Sequence, residues 1–180
     1  SIGVPWGSLI AKSRIVAPSV LGVVGFIQTI PSIALLVFMI PLLGIGPKPA
    51  IVALFLYVLL SIVRNTCSGI IGVDTSVKDA AKGMGMSGRQ VLTKVELPLA
   101  LPVILAGIRT ATVINVGVAT LAAYIAAGGL GEFIFGGIAL NNTNMILAGA
   151  IPAALLAIVL DYILSIVQKI NLKKIRVAFW

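Results

Sequence analysis

The chain has 180 residues, of which 59% are hydrophobic and only 10% charged, with a formal net charge of +8, one cysteine and no histidine. A water-soluble domain carries about a quarter of its residues as charge, so a soluble globular protein is excluded, and no persistent apolar–polar alternation supports a membrane barrel. With Cys67 alone and no histidine there is no internal disulfide, no histidine-dependent triad and no ordinary zinc site, which removes most enzyme classes and any resident metal.

Three uncharged or nearly uncharged runs, Ile15 to Pro47, Ala111 to Gly131 and Phe133 to Leu160, mark a polytopic α-helical membrane protein, because about 20 apolar residues cross a bilayer as helix. The opening piece, Ile2 to Ile10, is too short for that. As the chain begins on Ser1, this piece is expected to be the tail of a helix that starts further upstream.

After Lys12 and Arg14, the first complete crossing is expected from about Ala17 to Leu43, divided by Pro31 and Pro41 and ended by GIGPKP at 44–49. A proline inside a helix removes a hydrogen bond and kinks it, so a neighbouring helix, a cavity or a local side chain must satisfy the freed carbonyl. Gln28 and Thr29 stand directly before Pro31; Gln28 reads either as local packing or as lining of a pathway. The second crossing, Ala50 to about Val63, carries Tyr57 and returns to Arg64, continuing as helix towards Gly72.

Residues 74–98 then depart from everything around them. Asp74, Thr75 and Ser76 supply helix-starting oxygens, and Ser76 with Asp79 fits a relaxed capping box. Val77, Ala80, Ala81 and Met84 follow at i, i+3, i+4 and i+7, a slim apolar face with Lys78, Asp79 and Lys82 on the remainder. Gly83-Met84-Gly85 is expected to end this helix. Ser87 and Gln90 form a second capping box, opening a helix through Val91, Leu92 and Val95 until Pro98 and Pro102 redirect the chain. The glycines at 83, 85 and 88 also spell G-x-G-x-x-G, but no buried strand precedes them and no βαβ unit can be drawn. So short an alanine-faced helix binds a lipid surface weakly, so a protein partner explains the loop better.

The third crossing is expected from about Leu101 to Ala126. The outer loop, 127–142, contains GGLGEFIFGG, expected to be re-entrant or tightly turned, with Phe133 and Phe135 at the interface. The fourth crossing, about Thr143 to Gln168, leads to a basic tail. Gly22, Gly25, Ala122, Ala123, Ala126 and Ala127 are small enough to let helices approach closely. Arg109 and Asp161 fall in the inner half of their spans; they pair, or Arg109 faces a cavity, or each snorkels to the inner surface. Eleven cations fall in one set of loops and only Lys48 in the other, so the basic charge reports cytoplasmic loops rather than nucleic-acid binding.

Asp79-Ala80-Ala81, three residues, Gly85, nine residues, then Val95-Glu96-Leu97-Pro98 resembles the EAA loop of the membrane subunits of ATP-binding-cassette importers, with Asp for Glu and Val for Ile. Further stretches, QTIPSIALLVFMIPLLGIG at 28–46, PAIVALFLYVLLSIVRNT at 49–66 and GIRTATVINVGVATLAAYIAAGGLGEFIF at 107–135, are similar to the branch that imports osmoprotectants and other quaternary amines. The resemblance implies an all-α bundle of the type I importer permease fold, one transmembrane domain over 1–180 lacking the family's first helix, in the bacterial cytoplasmic membrane. It implies that Val77, Asp79, Ala80, Ala81, Gly83, Met84 and Gly85 belong to a coupling helix docked on a cytoplasmic ATPase dimer, and that Val95, Leu97 and Pro98 close the motif.

The same resemblance implies a second permease, expected to be an identical copy, and an extracytoplasmic binding protein or fused binding domain. ATP and magnesium would belong to the ATPase and no cofactor to this chain. The expected cargo is glycine betaine, carnitine or choline, with ergothioneine or another small solute as the alternative. Gln28, Tyr57, Arg109, Tyr124 and Asp161 are the candidates for the pathway or the bundle, with Phe133 beside them. A non-transporting receptor gives no reason for EAA spacing. An ion-driven transporter places carboxylates at mid-depth, whereas Asp74, Asp79, Glu96, Glu132 and Asp161 are all expected elsewhere.

Overall fold

A computed structural model describes Val4 and residues 16–178, and all regular structure among them is helical. The order is α1 (Val16–Gln28), α2 (Ser32–Phe38), α3 (Ile40–Leu43), α4 (Pro47–Ile71), α5 (Thr75–Gly83), α6 (Gly88–Val91), a π-helical turn (Leu92–Glu96), α7 (Leu97–Leu121), a 3-10 turn (Ala122–Ile125), α8 (Leu130–Ala139) and α9 (Thr143–Ala178). Lys12, Arg14 and most of the opening apolar piece lie outside the described residues.

Among the described residues three helical runs are long and apolar enough to cross a membrane: Pro47–Ile71, Gly88–Ile125 and Thr143–Ile170. The expected crossing over 17–43 is not a single rod, because Leu21–Gln28 and Ser32–Leu43 meet at 89°. Pro31 is extended, with φ −53° and ψ 135°, and stands as the N-cap of α2, so the helix stops ahead of it and restarts in a new direction. Pro41 divides the second limb only slightly: α2 and α3 are separated by Met39 alone and run as one limb, Ser32–Leu43. This proline lies in the first turn of α3, where a missing N–H costs no hydrogen bond.

Pro98 and Pro102 do not redirect the chain as expected either. Helix continues from Gly88 to Ile125 through both, with Pro102 inside α7. The adjustment comes one turn earlier: Leu97 N–H bonds to the carbonyl of Leu92, five residues back. A proline ring crowds the carbonyl four residues before it, which for Pro98 is that of Lys94, and widening the preceding turn relieves the crowding without ending the helix.

The chain divides into two compact units whose boundaries fall inside α1, α4, α7 and α9. The first comprises the chain up to Ile27, Leu59–Arg109 and Ser165 onward. Its core joins Ile70, Val73, Leu92, Ala100 and Ile104, with Val4, Leu97 and Ile108 packed against them. Here α4 and α7 touch through glycines: a Cβ on Gly107 would strike the Asn65 side chain, and one on Gly69 would sit 3.3 Å from Val103 Cβ. Close backbone approach of this kind is how membrane helices gain dispersion contact where lipid removes the hydrophobic drive.

The second unit comprises Gln28–Val58 and Thr110–Leu164, around Leu36, Ala50, Ala53, Val118, Ala122 and Ile125. The Gly-rich segment that was expected to form a turned or re-entrant loop is helix α8. Only Gly128 and Gly129, at φ 80° and 92°, make a turn; the others serve contact. A Cβ on Gly131 would collide with the Thr120 carbonyl, and one on Gly137 would lie 2.7 Å from Ile146 N. At 10 residues α8 is about 15 Å long, half the hydrocarbon thickness. Gly22 and Gly25 make no such contact among the described residues, where a Cβ on either meets nothing within 4 Å.

Candidate functional site

The segment between α4 and α7, within the first unit, carries a closely spaced run of polar side-chain contacts. Gly72 N–H bonds to Ser68 O at 2.9 Å as α4 ends, and Asp74 then caps α5, its Oδ1 accepting the Ser76 N–H at 2.9 Å. This replaces the expected Ser76–Asp79 box: Asp79 instead accepts from Lys82 Nζ at 3.2 Å. The bonds from Ser76, backbone first and hydroxyl second, hold the Asp74 carboxyl below its ordinary range.

Helix α5 presents a divided face. Val77, Ala80 and Met84 are exposed, Met84 at 76%, but Ala81 is 2% exposed and turned into the fold. Of the four residues that share one helical stripe, three are therefore free to meet a partner while the fourth anchors the helix. The helix closes as Met84 N–H bonds Ala80 O at 3.0 Å, Gly85 N–H bonds Lys82 O at 2.9 Å and Met86 N–H bonds Ala81 O at 3.2 Å. Gly85 takes φ +82°, where a side chain costs about 1–2 kcal/mol. The second capping box forms as expected, with Ser87 N–H donating to Gln90 Oε1 at 2.7 Å. Val91 and Leu92 are buried behind it, and Val95, Leu97 and Pro98 are half-buried at the start of α7.

Sequence reasoning passed over one residue that the structure makes central. Lys78, expected on the solvated side of α5, sends its Nζ back to the Ile70 carbonyl at 2.9 Å, with Ile71 O at 3.5 Å and Glu96 Oε1 at 3.8 Å. Its signal was legible in principle, since α4 must end in unbonded carbonyls and a lysine follows seven residues later. Beside it a cleft of about 300 Å³ is walled by Gly69, Gly72, Asp74, Val77, Leu99 and Val103, among others.

The five proposed pathway residues fall on four helices and the 3-10 turn. Gln28 ends α1, Tyr57 lies on α4, Arg109 on α7 and Asp161 on α9, each half-buried. Tyr124 is 62% exposed and stacks at a tilt on Phe135, ring centres 4.2 Å apart. Arg109 belongs to the first unit and the other four to the second. Two polar atoms not singled out from sequence, Thr66 Oγ1 and Asn115 Oδ1, are buried with no hydrogen-bond partner among the described residues.

Residues 3–177 match the family described as binding-protein-dependent transport system inner membrane component. The chain is 47% identical over 168 residues to a glycine betaine/carnitine/choline transport system permease protein, OpuCB, of Bacillus subtilis, covering 93% of this chain and 77% of that one. It is 48% identical over 179 residues to the carnitine transport permease protein OpuCB of Listeria monocytogenes, covering 99% and 82%. It is 49% identical over 172 residues to the osmoprotectant import permease protein OsmW of Salmonella typhimurium, covering 93% and 80%. Among solved structures it superposes on a chain of the MetNI methionine ABC transporter in an inward-facing conformation, with a TM-score of 0.81 and 26% identity, covering 94% of this chain and 86% of that one.

Proposed function

The chain belongs to the family of binding-protein-dependent transport system inner membrane components, and we propose that it forms the path by which an ATP-driven importer brings glycine betaine, carnitine or choline into the cell. It is a multi-pass membrane permease with an all-α importer fold. The observation that carries the reading is α5. A capped helix turns Val77, Ala80 and Met84 outward within a loop of EAA spacing, and three relatives at 47–49% identity are named for these solutes or for osmoprotectants.

In this reading α5 docks in a cleft of a cytoplasmic ATPase. Val77, Ala80 and Met84 enter the cleft. Asp79 lies at its edge, Ala81 holds the helix to the permease, and Gly83 and Gly85 end the helix without bulk. Val95, Leu97 and Pro98 join the loop to α7. Two permeases, expected to be identical, stand over two ATPases that bind ATP and magnesium. Closure of the ATPases moves both clefts, and the rigid helices above follow, opening the path outward; hydrolysis reverses the motion.

A quaternary ammonium is held best by several converging aromatic rings. This chain has 11 aromatic residues in total, so selection falls mainly to an extracytoplasmic binding protein or a fused binding domain. Uptake into proteoliposomes containing the permease, its ATPase and that receptor tests the reading. Radiolabelled betaine, carnitine or choline should enter only with internal ATP. Uptake driven by a sodium or proton gradient without ATP contradicts it, and transport of ergothioneine in place of all three would retain the importer but replace the cargo.

A further inference from the structure

We infer that Lys78 and Glu96 form a latch that passes the displacement of α5 into the two long helices on either side of it. The inference rests on the reading that α5 docks on an ATPase. A docked helix moves transport only if it is fastened to the spans, and a peptide chain with a turn at Gly72–Asp74 and another at Met84–Ser87 is slack by itself.

Beside the buried Ala81, the polar fastening of α5 is the Lys78 ammonium. The last carbonyls of α4 lack intrahelical partners and carry the negative end of the helix dipole. Lys78 Nζ donates to one of them, Ile70 O, at 2.9 Å, and lies 3.5 Å from the next, Ile71 O. Its other neighbour, Glu96 Oε1 at 3.8 Å, belongs to the last residue of the π-helical turn, bonded directly to Leu97 of α7. One side chain of α5 thus touches the end of α4 and the start of α7 together.

Burial separates this contact from ordinary surface pairing. The Lys78 and Glu96 side chains are 16% and 17% exposed, where water screens a charge pair far less than at the surface. The neighbouring Lys82–Asp79 pair is 59% and 71% exposed and lies within α5, so it transmits nothing. Lys78 also sits between Val77 and Ala80 in sequence but is turned about 100° from the first and about 160° from the second, so a partner can hold the exposed edge while the latch holds the half-buried one.

The test measures ATP hydrolysis and uptake in the same proteoliposomes, using the complete importer. Lys78→Met should leave hydrolysis within about twofold but lower solute carried per ATP about tenfold, the effect of one lost charge-assisted hydrogen bond. Glu96→Gln, which keeps the carbonyl bonds, should lower it about threefold, and Lys78→Arg should restore it to within about twofold because charge and donors remain. A role confined to folding would lower hydrolysis and uptake in proportion. That outcome, or an unchanged ratio in Lys78→Met, overturns the latch; if Lys78→Met fails to insert, Glu96→Gln decides by the same criterion. Ala80→Arg is run beside them. If Ala80→Arg uncouples and Lys78→Met does not, the latch fails and docking stands; if Ala80→Arg transports normally, the docking reading itself fails.

Discussion

Asp74 shows how one side chain sets the start of the loop. Its folded carboxyl titrates below the ordinary range because it accepts from Ser76, so its contribution to α5 is fully present above the ordinary aspartate value. It is lost as pH falls through the depressed one. Hydrogen exchange at Ser76 and Val77, corrected for intrinsic pH effects, should therefore quicken on acidification in the native protein. In Asp74→Asn the cap persists uncharged, and the pH dependence should vanish; if it survives, another group caps α5. The capping oxygens at 74–76 were legible in the sequence, but which of them takes the cap depends on where α4 ends, and that is fixed by packing of Ile70 and Val73 rather than by the local string. Lys78 was misread for a related reason: a lysine on an amphipathic pattern counts as solvated until the carbonyls above it are placed.

At the scale of elements, glycine carries two different meanings that composition alone merges. Gly85 has positive φ and open space around it, whereas Gly131 has helical geometry and the Thr120 carbonyl against it. Gly85→Ala should therefore cost about 1–2 kcal/mol from backbone strain with no repacking. Gly131→Val should cost more, about 3 kcal/mol or above, by overpacking against the Thr120 carbonyl and lever α8 away from the 3-10 turn. Thermal unfolding of the purified permease in detergent ranks the two, and equal costs would contradict the distinction. The same merging hid α8, whose glycines read as a turn when most of them are seats for a neighbouring helix. The prolines behave likewise. Pro31 breaks a helix at 89° while Pro98 and Pro102 are carried inside one, because the π-helical turn ahead of Pro98 relieves the crowding by its ring, an accommodation that has no residue signature.

For the whole molecule, the long apolar runs and the one-sided cations were readable because a bilayer imposes length and charge placement on any sequence that crosses it. The burial of the spanning stretches against other described residues was not readable: the buried share of an 18-residue window drops from 33% in Pro47–Ile71 to 6% in Thr143–Ile170. The EAA spacing was readable too, yet the burial of Ala81 was not, since a helical stripe does not say how much of itself the fold retains. What joins these scales is the proposed role of α5, which docks on an ATPase at the inner side of the membrane. The most direct test places a cysteine there, Ala80→Cys in a Cys67→Ala background, and follows its modification by a membrane-impermeant maleimide. On inside-out vesicles stripped of ATPase it should label rapidly, and adding the ATPase should protect it at least about tenfold. Equal labelling with and without the ATPase, or labelling only from the outer face, would contradict the account.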